Sequence, residues 1–261
     1  MNPVLASIVA LSVIFAATVL GSSFVFFFRK SMTPKVNNLI LGLAGGIMIA
    51  ASFFGLILPS IAESKALFPD FAWLAPLAGF ILGCIFLWLL DKVIPHFHEN
   101  TGVEEGPKSS LDKNLKFLLA VTIHNIPEGL AVGFACGLAL NGGGAAAVGA
   151  ALSLAIGIAI QNVPEGAAVS IPMYSDGMSR TKAFGYGAIS GFVEPLFGVI
   201  GLFLAQLAVI TPWLLAFAAG AMIYVTLDEI LPESRKEGFE HYGLWAFIAG
   251  FVIMMALELF L

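Results

Sequence analysis

Long apolar runs constrain this chain more than any other feature. Eight of them, at about 4–28, 37–61, 71–90, 115–140, 145–171, 183–209, 212–232 and 243–261, each reach about twenty residues. A helix of that length rises about 30 Å, the thickness of a bilayer's hydrocarbon core. Only 11% of the 261 residues are charged, and they cluster between the runs. Backbone polar groups in lipid must bond internally, so the spans are helices or a closed barrel, and continuous rather than alternating apolarity selects helices. The expected architecture is an all-α polytopic membrane protein, one domain over 1–261 embedded in a lipid bilayer. The first run lacks a basic leader and has basic residues after it, which fits a first span better than a cleaved leader.

The basic residues orient the spans. Arg29, Lys30 and Lys35 follow span one, and Lys92, Lys108, Lys113 and Lys116 lie at or beside the connection after span three. Arg180 and Lys182 follow span five, and Arg235 and Lys236 follow span seven. Lys65 alone falls on the other side. An excess of Lys and Arg marks cytoplasmic connections, so both termini are expected outside. No basic face is available for nucleic acid. Cys84 and Cys136 lie inside apolar runs and read as buried thiols.

Two adjacent spans carry matched motifs at an offset of 37. His124-Asn125-Ile126-Pro127-Glu128-Gly129 lies on span four and Gln161-Asn162-Val163-Pro164-Glu165-Gly166 on span five. A second echo joins spans two and seven. Ala44-Gly45-Gly46-Ile47-Met48-Ile49 with Leu58-Pro59-Ser60 matches Ala218-Ala219-Gly220-Ala221-Met222-Ile223 with Leu231-Pro232-Glu233, given one gap. Each pair runs in opposite directions, so the pattern predicts inverted repeats, spans one to three against six to eight and four against five. Such repeats are a transporter signature, with the site at their interface near mid-depth.

Glu128, Glu165 and Glu194 fall about 9–20 Å inside three different spans. Each bare carboxylate there costs roughly 2.5–3.5 kcal/mol, so partners, protons or a cation are required. His124 and Glu128 share one helix face, as do Gln161 and Glu165, while Asn125 and Asn162 are turned about 100° away and could line an adjoining site. Pro127, Pro164 and Pro195 leave the carbonyls of Ile123, Ile160 and Gly191 without their usual donors. Gly129, Gly133 and Gly137 give span four a close-packing edge. One imidazole, three carboxylates and several amides suit Zn²⁺, Fe²⁺, Mn²⁺ or Cd²⁺ better than Cu⁺.

The two motifs, Glu194-Pro195 on span six and the eight-span topology resemble the ZIP (Zrt/Irt-like) metal transporters, with a glutamine-bearing fifth span similar to the GufA-like branch. The resemblance covers nearly the whole chain. It implies uptake of Zn²⁺ and related divalent ions into the cytoplasm through a two-metal site. His124, Glu128, Gln161 and Glu165 would line one position, and Asn125, Asn162 and Glu194, with the shared glutamates, the other. It further implies an elevator in which spans one, four, five and six move against two, three, seven and eight, usually as a homodimer, here in a bacterial inner membrane. Many members carry histidine at the position of Gln161 or aspartate at that of Asn162. The weaker ligands here broaden the expected selectivity.

Several other groups are secondary candidates. Asp228 and Glu229 near the cytoplasmic end of span seven could form an exit site. His96 and His98, with Glu99, Glu104 and Glu105, could bind metal in the 91–114 cytoplasmic loop. His241 and Glu258 are expected to be solvated, and Ser52 to be a packing hydroxyl. No His-Glu-x-x-His or Gly-x-Ser-x-Gly motif is present, so neither an enzyme nor an organic cofactor is expected.

Overall fold

The computed structural model describes residues 1–27, 33–97, 104–105, 107–108, 110, 112–235 and 238–260. Among them, eight helices are long and apolar enough to cross a membrane: Pro3–Phe26, Pro34–Leu67, Leu74–Val93, Asn114–Leu140, Gly144–Ser175, Arg180–Leu204, Ala208–Glu233 and Glu240–Phe260. They match the eight expected spans in order, and the numbering of spans one to eight is kept. Span two runs about six residues past its expected end.

The helix starts follow from local chemistry. Asn2 Oδ1 accepts from the Val4 N–H at 2.8 Å, with Pro3 in the first turn, where its missing N–H is harmless. Thr33 and Ser179 cap spans two and six through Val36 N and Lys182 N, each at 3.4 Å. Spans four and five are joined by a tight turn in which Gly142 and Gly144 have φ of 96° and 69°, values that disfavour any side chain. So short a turn makes these two spans antiparallel neighbours.

The helices sort into two groups. Span one lies along five, four along six, and these four pack together; span two lies along eight and three along seven. The groups meet mainly where span two touches five and span seven touches four. Their shared core is rich in small residues, among them Ala50, Ala51, Ala131, Ala155, Ala218 and Ala219, all fully buried.

The packing is two-fold related, with one matched to six, two to seven, three to eight and four to five. A Cβ on Gly46 of span two would strike the Phe247 carbonyl oxygen of span eight, and a Cβ on its repeat mate Gly220 of span seven would strike that of Phe80 on span three. Spans two and seven each widen into a π-helical turn, Ala51–Ile57 and Thr226–Ile230. Both lie immediately before a Leu-Pro pair. Pro59 and Pro232 cannot donate four residues back and would clash with the carbonyl there, and the wide turn absorbs the conflict. The close-packing edge of span four is also present, since Gly129, Gly133 and Gly137 all face span six.

Among the described residues the fold is helical apart from connections and a two-residue antiparallel ladder, in which His96 pairs with Glu105 and Phe97 with Glu104. His98 and Glu99 of the 91–114 connection lie outside the described residues. One expectation changes: Glu258 is half-buried. Its Oε1 is buried, and a Cβ on Gly55 of span two would sit 3.5 Å from it, so the carboxylate is turned inward between spans eight and two. Its spacing from the core positions Ala246, Gly250 and Met254, four residues apiece, is what aims it there. His241 is exposed, and Ser52 Oγ bonds back to the Met48 carbonyl at 2.8 Å, both as expected. The two cysteines are free thiols.

Gly220→Val should force spans three and seven apart and lower the thermal stability of detergent-purified protein by about 1–3 kcal/mol. Gly185→Ala, at a helical glycine with open space around its Cβ, should leave the unfolding temperature unchanged or raise it slightly.

Candidate metal site

Five side chains from three spans are withdrawn completely from solvent at mid-height: Asn125 and Glu128 of span four, Gln161 and Asn162 of span five, and Glu194 of span six. Glu165 is half-buried one turn beyond Gln161. Close helix approach makes the convergence possible. A side chain on Gly129 would strike the Glu194 carbonyl oxygen, and one on Gly166 that of Thr18 on span one. Pro127, Pro164 and Pro195 sit inside helices that run on without interruption.

Each fully buried carboxylate is met by neutral donors. Gln161 Nε2 donates to Glu128 Oε1 at 2.5 Å. Glu194 Oε2 accepts from Asn162 Nδ2 at 2.6 Å, and its Oε1 from Thr18 Oγ1 at 2.9 Å and Asn125 Nδ2 at 3.3 Å. The asparagine amides also donate to main-chain carbonyls, Asn125 to Ser190 and Asn162 to Ile14, both at 3.1 Å. Four acceptor oxygens in this cluster have no donor among the described residues: Asn125 Oδ1, Glu128 Oε2, Gln161 Oε1 and Asn162 Oδ1. A buried acceptor without a donor costs about 1–3 kcal/mol, and a cation can satisfy several such oxygens together. Among the described residues, no three His, Cys, Asp or Glu side chains already converge in a metal-holding group. The amides stand between the carboxylates and would have to turn their oxygens inward to complete a ligand set.

His124, which the sequence groups with Glu128, has its Nδ1 3.0 Å from Glu229 Oε2 of span seven. The side chains of His124 and Glu229 keep 12% and 18% of their surface exposed, so this pair sits nearer solvent than Glu128 and Glu194. Glu229 is thus in contact with a residue of the span-four motif, and Asp228 beside it is exposed. The wide turn at 226–230 is what swings Glu229 towards span four.

Two residues escaped the sequence reading. Asp91, near the end of span three, is buried and within electrostatic reach of His124. Position at the edge of an apolar run gave it the look of a connection. Thr18 bonds Glu194, yet a lone threonine in an apolar helix carries no distinguishing sequence signal.

Residues 101–258 match the family model described as ZIP Zinc transporter. The chain belongs to the ZIP zinc transporter family. It is similar to ZIP relatives along most of its length. It is 36% identical to Zinc transporter ZIP11 of Homo sapiens, over 92% of this chain and 93% of that protein. It is 35% identical to Zinc transporter GufA of Myxococcus xanthus, over 88% and 87%, and 36% identical to Zinc transporter ZupT of Chlorobium phaeovibrioides, over 94% and 93%. The resemblance drawn from the two motifs thus holds at the level of family and of branch relatives, and the eight-helix membrane architecture agrees with it.

Gln161→Leu removes the donor that meets Glu128 Oε1 among the described residues, and should destabilise the metal-free protein by about 1–3 kcal/mol. Adding Glu128→Leu to the same chain should restore much of that loss, because both polar partners are then gone. Thermal unfolding of the two single variants and the double variant measures the coupling.

Proposed function

We propose that this chain carries Zn²⁺, and with it Fe²⁺, Mn²⁺ or Cd²⁺, across the bilayer into the cytoplasm through the polar cluster on spans four, five and six. The observation that carries this reading is the set of four donorless oxygens beside fully buried carboxylates at mid-height. They divide between the two ligand positions. Glu128 Oε2 and Gln161 Oε1 belong to the position formed with His124 and Glu165. Asn125 Oδ1 and Asn162 Oδ1 belong to the one formed with Glu194. Two ions sharing Glu128 and Glu165 fit this division. Amide oxygens are weak ligands for such ions, which favours release.

The access routes are unequal. On one side a cavity of about 590 Å³, lined by residues including Gly55, Pro59, Glu63, Ala135 and Asn141, ends short of the cluster. Ala135 lies seven residues beyond Glu128, about 10 Å along the helix. Ala131, Val132, Leu154 and Ile158 are buried in the apolar core over that interval. On the other side the half-buried Glu165 leads through His124 to Glu229 and the exposed Asp228, with His96 in the connection beyond. Basic residues assign this second side to the cytoplasm, so the arrangement reads as open inward and sealed outward. Reversal by sliding spans one, four, five and six against the other four is supported by the division of the helices into these two groups and by the many alanines in the core they share.

Proteoliposomes holding the purified protein should take up Zn²⁺, and Glu165→Ala should lower the rate by about tenfold or more, as expected for losing a charged ligand. No uptake by the unaltered protein, or undiminished uptake by Glu165→Ala, would overturn the assignment. A protease site added after residue 261 should be cut from the outside of intact cells; cutting only after lysis would reverse the orientation.

A further inference from the structure

Spans one and six are related by the same two-fold as the matched motifs, at an offset of 176 that residue identity does not advertise. Three contacts show it. The equivalent asparagines Asn162 and Asn125 donate to the carbonyls of Ile14 and Ser190, positions 176 apart. The equivalent glycines Gly166 and Gly129 abut the carbonyls of Thr18 and Glu194, again 176 apart. Ser22 lies against Gly187 and, in the mirror contact, Gly198 lies against Leu11. Thr18 therefore occupies in one half the place that Glu194 occupies in the other. A carboxylate stands at one position and a hydroxyl at its mate, and the two touch at 2.9 Å.

Thr18 Oγ1 has one proton and two acceptors within reach. Glu194 Oε1 is 2.9 Å away and the Ile14 carbonyl, one turn back on its own helix, is 3.3 Å away. Threonine hydroxyls bond such carbonyls readily inside helices. Hence the proton can leave Glu194 for Ile14 without becoming unpaired. We propose that Thr18 is a positioning residue that sets how tightly Glu194 holds the transported cation. While the hydroxyl donates to Oε1, a divalent ion must compete for that oxygen; once the ion binds, the hydroxyl turns to Ile14, and its return to Glu194 assists release. Hydrogen bonds to a charged group are among the stronger ones, so the competition is felt in affinity. The inference rests on the ion-carrying reading of spans four to six.

Thr18→Val keeps the side chain's shape and removes the donor. Zn²⁺ binding to purified protein, measured by calorimetry, should tighten by about tenfold, the effect of losing one competing bond of this kind. In proteoliposomes its KM and its maximal rate of uptake should both fall, because release slows. Thr18→Ser should restore the parent values. Thr18→Ala offers the same comparison if the valine variant does not fold. Unchanged or weaker binding in the hydroxyl-free variants, or a lower maximal rate with an unchanged KM, would overturn the role. Absence of binding and uptake in the unaltered protein would instead sink the transport reading itself, which separates the two failures.

Discussion

A carboxylate kept away from water at the middle of a bilayer must be matched on every side, and Glu128 and Glu194 impose that requirement on everything around them. Nothing cationic meets them at bonding distance among the described residues. Their partners are Gln161, Asn125 and Asn162, amides that donate through nitrogen and retain an acceptor oxygen, and the hydroxyl of Thr18. Neutral partners can be exchanged for a cation without first breaking an ion pair. Positioning them demands that four helices approach closely, and the glycine at the end of each motif provides the approach, since a side chain there would collide with a neighbouring backbone.

The same demand explains the shape of the surrounding bundle. Spans one, four, five and six enclose the carboxylates, while spans two, three, seven and eight form a second group touching the first along a core rich in small residues. From the second group span seven brings Glu229 against His124, out of a widened turn that precedes Pro232, and span three brings the buried Asp91 within electrostatic reach of it. Local backbone conflict and site chemistry are thus the same event at that point.

Much of the architecture was legible in the sequence because the bilayer allows few solutions. Apolar length marked out eight spans, and the echoes between motifs related four to five and two to seven and, by extension, one to six and three to eight. The residue register between spans one and six was hidden, since the two-fold is carried there by main-chain carbonyls, which any residue provides. The site residues were legible as polar groups out of place in apolar runs. The contact of His124 with Glu229 was not legible, because helical spacing relates residues on one helix and says nothing of a side chain that reaches in from span seven. Glu258 was misplaced for a related reason: nearness to a chain end said nothing about which neighbour its helix face met.

The two wide turns are matched in place but unequal in length, seven residues in span two and five in span seven. The pseudo-symmetry is therefore inexact at the place where the polar chain crosses from one group of helices to the other, since the turn that carries Glu229 is the shorter of the two. Span two, its counterpart, uses the longer turn where it carries no acid at all.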